Sequence, residues 1–460
     1  MLISAPYFLS FLIIMLQNYK MYAIILSMNE ILKQKFENAI AKEPSLMEEA
    51  FSDYIQILQE ATLSDAYILS KLGTRLRHLG VAQEFVEKIN TFNYEDVKQQ
   101  KYVNDSYLYC LYNAKVSAYE YNEETFQEFI DAAEKIVTNC EQKPCEEYNY
   151  NPYVLTIYKV IQVLRSRPST NYFQELKWIN KLNPEILPSQ PKEIQAGNGK
   201  TYELASLKEF YYQVKTRCLE KIEKFEECVE CCNTALNLFD KLHYRNGLWF
   251  TARKLYCECM ITGKKEDVEN YKEIAERHKF WYMFHKLSNI YLSSGDLENA
   301  LYYSAKALLS DEFDSEKMIN LLYDLGLLFE NSNEKFKAKA FYESVLYYRS
   351  LAGWHIPEEL RFVEKELNLF RDKKPNIEHL RGFALEVIKS KENLIWGKVI
   401  NINKERKFGF IRYDKDKSMY FSLKTIKVPL EIGNKVLFKI ETVNEKLCAT
   451  DIYKIGGNNG

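Results

Sequence analysis

The sequence contains little glycine, proline or histidine and lacks the common catalytic motifs. Its 460 residues include 16 Gly, 11 Pro and 6 His. Scarce glycine and proline favour long helices over many short strands joined by turns. We find no phosphate-binding glycine loop, no His-Glu-x-x-His and no nucleophile elbow. We therefore expect a non-catalytic protein that carries no cofactor.

A large net charge is also lacking, but the charge is unevenly distributed. The formal net charge is −2. From Trp396 to the C-terminus, 11 Lys and 2 Arg oppose 7 acidic residues, which gives +6 and leaves −8 for the rest of the chain. A basic segment on an acidic scaffold predicts an anionic partner at the C-terminal end.

The ten cysteines show no spacing typical of disulfides. Several fall within helical patterns, which favours free buried thiols in a reducing cytoplasm. The alternative is a zinc site formed by Cys228-x-x-Cys231-Cys232 with Cys257 and Cys259. Because that spacing matches no standard zinc ribbon or finger, we favour core packing and expect no metal.

The first 27 residues are apolar and carry one charge, Lys20. A signal peptide would need a basic region before the apolar stretch, and a transmembrane helix needs about 20 apolar residues. The run is interrupted at Gln17 to Lys20 and fits neither well. We favour translation starting at Met28, where an amphipathic helix begins, and expect membrane association only if residues 1–27 are real.

Between Glu30 and about Leu369, apolar residues recur at intervals of three and four, which predicts helices. The second half repeats weakly, in the segments 221–236, 290–308 and 325–346. These segments resemble tetratricopeptide repeats, with Gly295 between paired helices and Ala300 and Ala307 where helices touch. The resemblance implies stacked helix pairs whose groove binds a peptide or protein. The alternative is a rigid spacer without a partner.

After Pro375 and one further helix, the pattern changes to short alternating strands. We predict five strands, at 395–402, 407–413, 418–423, 435–441 and 447–454. Five strands joined by short turns suit a small closed barrel. Phe408 and Phe410 alternate on one strand and Tyr420 lies on the next, among Lys and Arg residues. Small barrels present stacking rings to unpaired bases in this way.

Several motifs of this segment occur in the order found in one family. They are Gly397-Lys398-Val399, Phe408-Gly409-Phe410-Ile411, Met419-Tyr420-Phe421-Ser422, the strand from Ile432 to Phe438, and Ala449-Thr450-Asp451-Ile452. Together they resemble the cold-shock domain, an OB-fold that binds single-stranded RNA or DNA.

This resemblance implies a nucleic-acid site. Phe408, Phe410 and Tyr420 would form the stacking platform, and Ser422 would lie on the same face. Five basic residues would hold phosphates, namely Lys398, Arg406, Lys407, Arg412 and Lys415. The sequence departs from the family at Asn401-Ile402, which replaces Trp-Phe, at Ser422, which replaces His, and at Lys407, which replaces Gly. We therefore expect a weaker or shorter binding site than in a full cold-shock protein.

The predicted fold is multi-domain and mainly α, an α-solenoid of tetratricopeptide-like helix pairs followed by a five-stranded OB or cold-shock-like barrel. The predicted segments are 1–27 (apolar), 28–185 (N-terminal helices), 186–202 (loop or subdomain boundary), 203–372 (helical repeats), 373–393 (linker or helix) and 394–456 (barrel).

The favoured hypothesis is a non-catalytic adaptor that binds single-stranded RNA or DNA through the barrel and a protein through the solenoid. Two alternatives stay open: a protein-only regulatory scaffold with a degenerate barrel, and a subunit of a nuclease-containing defence complex. The second draws on the spacing of Arg349 and His355, which is found in some helical ribonucleases. Gly353-Trp354 and Pro357 interrupt any helix in this region, which argues against a catalytic pair.

Overall fold

The structure is a computed structural model that describes residues 30–144, 151–167, 170–195, 199–424, 426, 428–443 and 445–455. The apolar segment 1–27 and the proposed start at Met28 lie outside these residues. Backbone contacts divide the chain into two units, Met1–Cys218 and Leu219–Gly460. Among the described residues, no helix has both the length and the apolar character needed to cross a membrane.

The first unit is almost entirely helical. Its helices are α1 (30–42), α2 (Met47–Glu60), α3 (Ala66–His78), α4 (Ala82–Ile89), α5 (Tyr94–Gln99), α6 (Lys101–Leu111), α7 (Phe126–Asn139), α8 (Pro152–Ser166) and α9 (Tyr172–Ile179). The core of this unit contains large side chains such as Tyr54, Phe85 and Trp178, all at most 2% exposed.

The segment 186–202, predicted as a loop or subdomain boundary, contains part of a short hairpin. Strands β1 (Lys192–Gln195) and β2 (Thr201–Leu204) pair antiparallel, with Lys192 opposite Leu204. Each strand has four residues, too few for apolar alternation to identify it. The division between the two units falls later, inside helix α10 (Leu207–Lys221).

The second unit combines further helices with the C-terminal sheet. Its helices after α10 are α11 (Phe225–Leu238), α12 (Asn246–Thr262), α13 (Lys265–His278), α14 (Trp281–Ser293), α15 (Leu297–Ser310), α16 (Ser315–Asn331), α17 (Lys335–Leu351), α18 (Glu358–Leu367) and α19 (Ile377–Lys391). From α11 to α17 each helix packs against the next in the chain. The predicted fold class, a helical solenoid with a small C-terminal β domain, is confirmed.

One turn geometry recurs in this solenoid. The residues that follow α10, α14 and α16 in the left-handed region are Glu223, Gly295 and Asn333, with φ of 61°, 79° and 60°. In each turn the residue after the left-handed position donates its backbone N–H to the carbonyl of the residue five positions earlier, at 2.9 Å. This is the pattern of a Schellman cap. Of these three turns, only the one after α14 has glycine at the left-handed position.

A buried ion cluster links three helices of this unit. Glu220 Oε1 lies 2.5 Å from Lys286 Nζ, and Glu220 Oε2 lies 3.0 Å from Arg253 Nε. Burial disfavours the charged carboxylate, but the charges of Lys286 and Arg253 outweigh it and lower the pKa of Glu220 to about 2. The carboxylate therefore stays charged down to strongly acidic pH.

We expect this cluster to make the protein sensitive to acid. Because the folded pKa of Glu220 lies below its unfolded value, its stabilising contribution is present above about pH 4.5 and is lost as pH falls towards 2. The contribution is about 3 kcal/mol, which urea unfolding at pH 7, 4 and 3 can measure. Glu220→Gln should remove this part of the pH dependence, and equal pH slopes in both proteins would contradict the assignment.

The C-terminal sheet has five antiparallel strands, β3 (Ile395–Asn403), β4 (Phe408–Arg412), β5 (Ser418–Ser422), β6 (Lys435–Val443) and β7 (Lys446–Lys454). Their hydrogen-bonded order is β5-β4-β3-β6-β7, and the edge strands β5 and β7 also lie in contact, so the sheet curves round. Its interior holds the buried side chains Val399, Ile411, Met419, Phe421, Leu430, Val436, Phe438 and Ala449.

Candidate nucleic-acid interface

Three aromatic rings meet on the outer face of the sheet, and we call Phe408, Phe410 and Tyr420 the aromatic platform. Phe410 lies directly opposite Tyr420 in the β4–β5 ladder. The ring centroids are 5.8 Å apart for Phe408–Phe410, 5.9 Å for Phe408–Tyr420 and 6.0 Å for Phe410–Tyr420. Tyr420 is 39% exposed, while both Phe rings are half-buried. The three rings thus form one compact apolar surface.

The platform depends on a strict alternation of the two strands. On β4 the inward residues Gly409 and Ile411 are buried and alternate with the outward residues. On β5 the inward residues Met419 and Phe421 are buried in the same alternation. A Cβ atom at Gly409 would come within 2.3 Å of Phe421 Cζ and 2.6 Å of Asn401 O. Only glycine therefore allows β4 to pass so closely over the core beneath the platform.

The five predicted basic residues surround the platform. Lys398 on β3 pairs with Arg412 on β4, while Arg406 and Lys407 lie in the turn before β4 and Lys415 lies in the turn after it. All five are exposed, and among the described residues none has a carboxylate within 4.0 Å of its charged group. Their positive charge is therefore available to an anion.

Ser422 lies opposite Phe408 and faces the same side of the sheet. Its hydroxyl accepts a hydrogen bond from the backbone N–H of Lys424 at 3.3 Å. Asn401 lies opposite Phe410, and a bulge between Val399 and Asn401 sets this register. Polar groups therefore border the platform at these two places.

Lys407 adopts a backbone conformation that suits glycine. Its φ is 56°, in the left-handed region, which costs a side-chain-bearing residue about 1–2 kcal/mol. Its carbonyl accepts a hydrogen bond from Leu423 N–H at 3.0 Å, which ties the turn to the end of β5. Lysine at this position thus adds a charge beside the platform while the turn is kept.

Sequence reasoning missed Trp396, a further exposed ring on the sheet. It is 51% exposed and precedes Lys398 on the outer face of β3. Strand alternation could have identified it, because Gly397 and Val399 face inward and Trp396, next to Gly397, must therefore face outward. This ring adds an aromatic surface at the Lys398–Arg412 end of the site.

The β6–β7 side of the sheet is covered by helices of the same unit. Asp451 Oδ1 lies 2.5 Å from Lys279 Nζ, and Lys439 Nζ lies 3.0 Å from Glu392 Oε2. Tyr453, also on β7, is 6% exposed. The outer face is thus divided into a helix-covered half and an open half that carries the platform.

The cysteines considered as a zinc site and the Arg349–His355 pair considered as a ribonuclease site lie outside the aromatic platform. Cys228, Cys232 and Cys257 are fully buried, and within the described part of the chain no three His, Cys, Asp or Glu residues are grouped to hold a metal ion. Arg349 lies at the end of α17, where its Nη1 donates to the backbone carbonyl of His355 at 2.7 Å. This contact ties down the following loop and does not involve the imidazole.

Neither a scan against protein-family models nor a search of the curated proteins finds a match to this chain. The resemblances to the cold-shock domain and to tetratricopeptide repeats therefore rest on the motifs themselves.

Proposed function

We propose that this protein is a non-catalytic adaptor that binds single-stranded RNA or DNA through the C-terminal sheet and a protein partner through the helical solenoid. The observation that carries the proposal is the aromatic platform, three rings within 6.0 Å of one another on an open face. Five exposed cations without a carboxylate within 4.0 Å surround it among the described residues.

The chemistry of the platform favours a single strand over a duplex. Unpaired bases can be splayed out and stacked on aromatic rings, and each base gains about 1–3 kcal/mol from such a contact. In a duplex the base faces are already occupied by their neighbours. The surrounding Lys and Arg side chains would neutralise phosphates of the backbone and make binding dependent on salt.

The protein-binding half of the proposal draws on an apolar surface at the end of the solenoid. Two large apolar side chains there are each more than 60% exposed, namely Phe336 and Phe370. Phe336 and Phe370 line a cleft of about 680 Å³ together with His379. Clustered exposed apolar residues mark protein-interaction surfaces more often than isolated ones do.

The proposal includes a cytoplasmic location. The cysteines of the described residues are free thiols, and several of them are buried. Structural disulfides persist mainly in oxidising compartments, so reduced cysteines fit the cytoplasm.

A protein-only scaffold is the second candidate, favoured by the polar residues Asn401 and Ser422 at the platform edge. Titration of the full chain with fluorescent single-stranded RNA and DNA, at low and moderate salt, separates the two. Salt-sensitive binding that a duplex of the same sequence does not reproduce supports the adaptor. No binding at tens of micromolar protein would overturn it in favour of the scaffold.

A further inference from the structure

A basic cleft of about 490 Å³ lies within the second unit, where the sheet meets the helices. Two acidic residues, Glu441 and Asp451, line it. Six basic residues also line it, namely Arg245, Arg277, His278, Lys279, Lys306 and Lys424. Cations thus outnumber carboxylates in a cavity large enough for several phosphate groups.

Part of this charge is neutralised inside the protein. Lys279 Nζ lies 2.5 Å from Asp451, and Lys306 Nζ lies 2.7 Å from Glu276. The remaining cations Arg245, Arg277 and Lys424 are exposed, and none of them has a carboxylate within 4.0 Å among the described residues. They come from two helix ends and from the segment after β5, so the fold itself brings three uncompensated charges together.

The cleft and the aromatic platform are linked along the chain by the residues at the end of β5. Ser422 lies opposite Phe408, and Lys424 follows two residues later, with its backbone N–H bonded to the Ser422 hydroxyl. Even in a fully extended chain, at roughly 3.3 Å per residue, this step would span at most about 7 Å. A strand that leaves the platform past Phe408 would therefore reach the cleft almost at once.

We propose that this cleft binds the phosphate backbone of the same single strand as it leaves the platform, through Arg245, Arg277 and Lys424. The inference rests on the proposed function, since it assigns the continuation of that strand. The binding site then extends from Trp396 and Lys398 at one end, across the platform, to the cleft at the other.

The test uses the full-length protein with fluorescent single-stranded RNA and DNA of 4 and 12 nucleotides, about the range covered by one OB-fold. In R245Q/R277Q/K424Q we expect 12-nucleotide strands to bind about tenfold more weakly. Their salt slope should fall by about 2, since each phosphate contact to a single strand contributes about 0.7. Binding of the 4-nucleotide strands, which fill only the platform, should change less than about twofold on the same reasoning.

A control variant, K335Q/R361Q/K365Q, removes the same charge from exposed positions outside the cleft lining. An equal loss in both variants, or an unchanged salt slope in the cleft variant, would overturn the cleft assignment while the platform stands. If instead alanine at the three platform positions leaves binding intact, the proposed function fails, and with it the path from platform to cleft. Circular dichroism checks folding, and K424Q alone, expected to lower the slope by about 0.7, provides the test if the triple variant misfolds.

Discussion

Replacing Phe408, Phe410 and Tyr420 together with alanine is expected to weaken binding of single-stranded oligonucleotides at least about a hundredfold. Each stacked base contributes about 1–3 kcal/mol, and 1.4 kcal/mol corresponds to a tenfold change in affinity. Three stacking contacts therefore account for at least about 3 kcal/mol. Fluorescence anisotropy with the full chain measures the loss directly.

This triple variant should stay folded, because the core lies on the other side of the sheet. Val399, Ile411 and Phe421 are fully buried and are not altered. Phe336→Ala is a matched control, since this ring is 72% exposed but lies on α17. The basic residues remain in the triple variant, so weak salt-dependent binding should persist. An affinity equal to that of the unaltered protein would rule out stacking as the basis of binding.

Glu392→Ala is expected to destabilise the second unit by about 2–3 kcal/mol, because it leaves a tyrosine hydroxyl without its acceptor and weakens two ion pairs. Glu392 directly follows α19, and its side chain is 5% exposed. It accepts a hydrogen bond from Tyr302 Oη, and its carboxylate lies 3.0 Å from Lys439 Nζ and 3.9 Å from Lys306 Nζ. Removing it takes one partner from Lys306 and one from Lys439, although Lys306 keeps Glu276 at 2.7 Å and Lys439 keeps Asp451 at 3.5 Å.

Glu386 provides the comparison, because it is the same residue type and lies on α19, shortly before Glu392. Its carboxylate lies 3.0 Å from Lys337 Nζ at the surface, and its side chain is 60% exposed. Exposed ion pairs contribute at most about 1 kcal/mol, so Glu386→Ala should have a small effect. Urea unfolding followed by circular dichroism measures both variants. Similar midpoints for the two would show that the Glu392 cluster does not hold the sheet to the helices.

The sequence predicted the platform well because strand alternation is a local rule. Once β4 and β5 were recognised, the parity of Phe408, Phe410 and Tyr420 followed, and Gly409 and Phe421 had to face inward. Helix periodicity was equally informative for the solenoid. Both predictions need only residues that are close together in the chain.

Features that depend on tertiary packing could not be predicted in this way. Tyr453 continues an ordinary strand pattern, and only the fold shows that helices cover it. Glu223 and Asn333 occupy left-handed turn positions for which the sequence offers no glycine signal. The basic cleft joins Arg245 and Lys424, which lie far apart in the chain and approach each other only after the sheet has packed on the helices.

The covered half of the sheet has a consequence for how an adaptor of this kind would work. The ion pairs Lys279–Asp451 and Lys439–Glu392 attach the sheet to the helices, so it is not a module on a flexible tether. A strand on the platform and a protein on the apolar end of the solenoid would then be held at one fixed spacing and angle. Such an adaptor would hold its two partners in a fixed relative orientation. Simultaneous binding of both would then depend on this geometry and not on the effective local concentration alone.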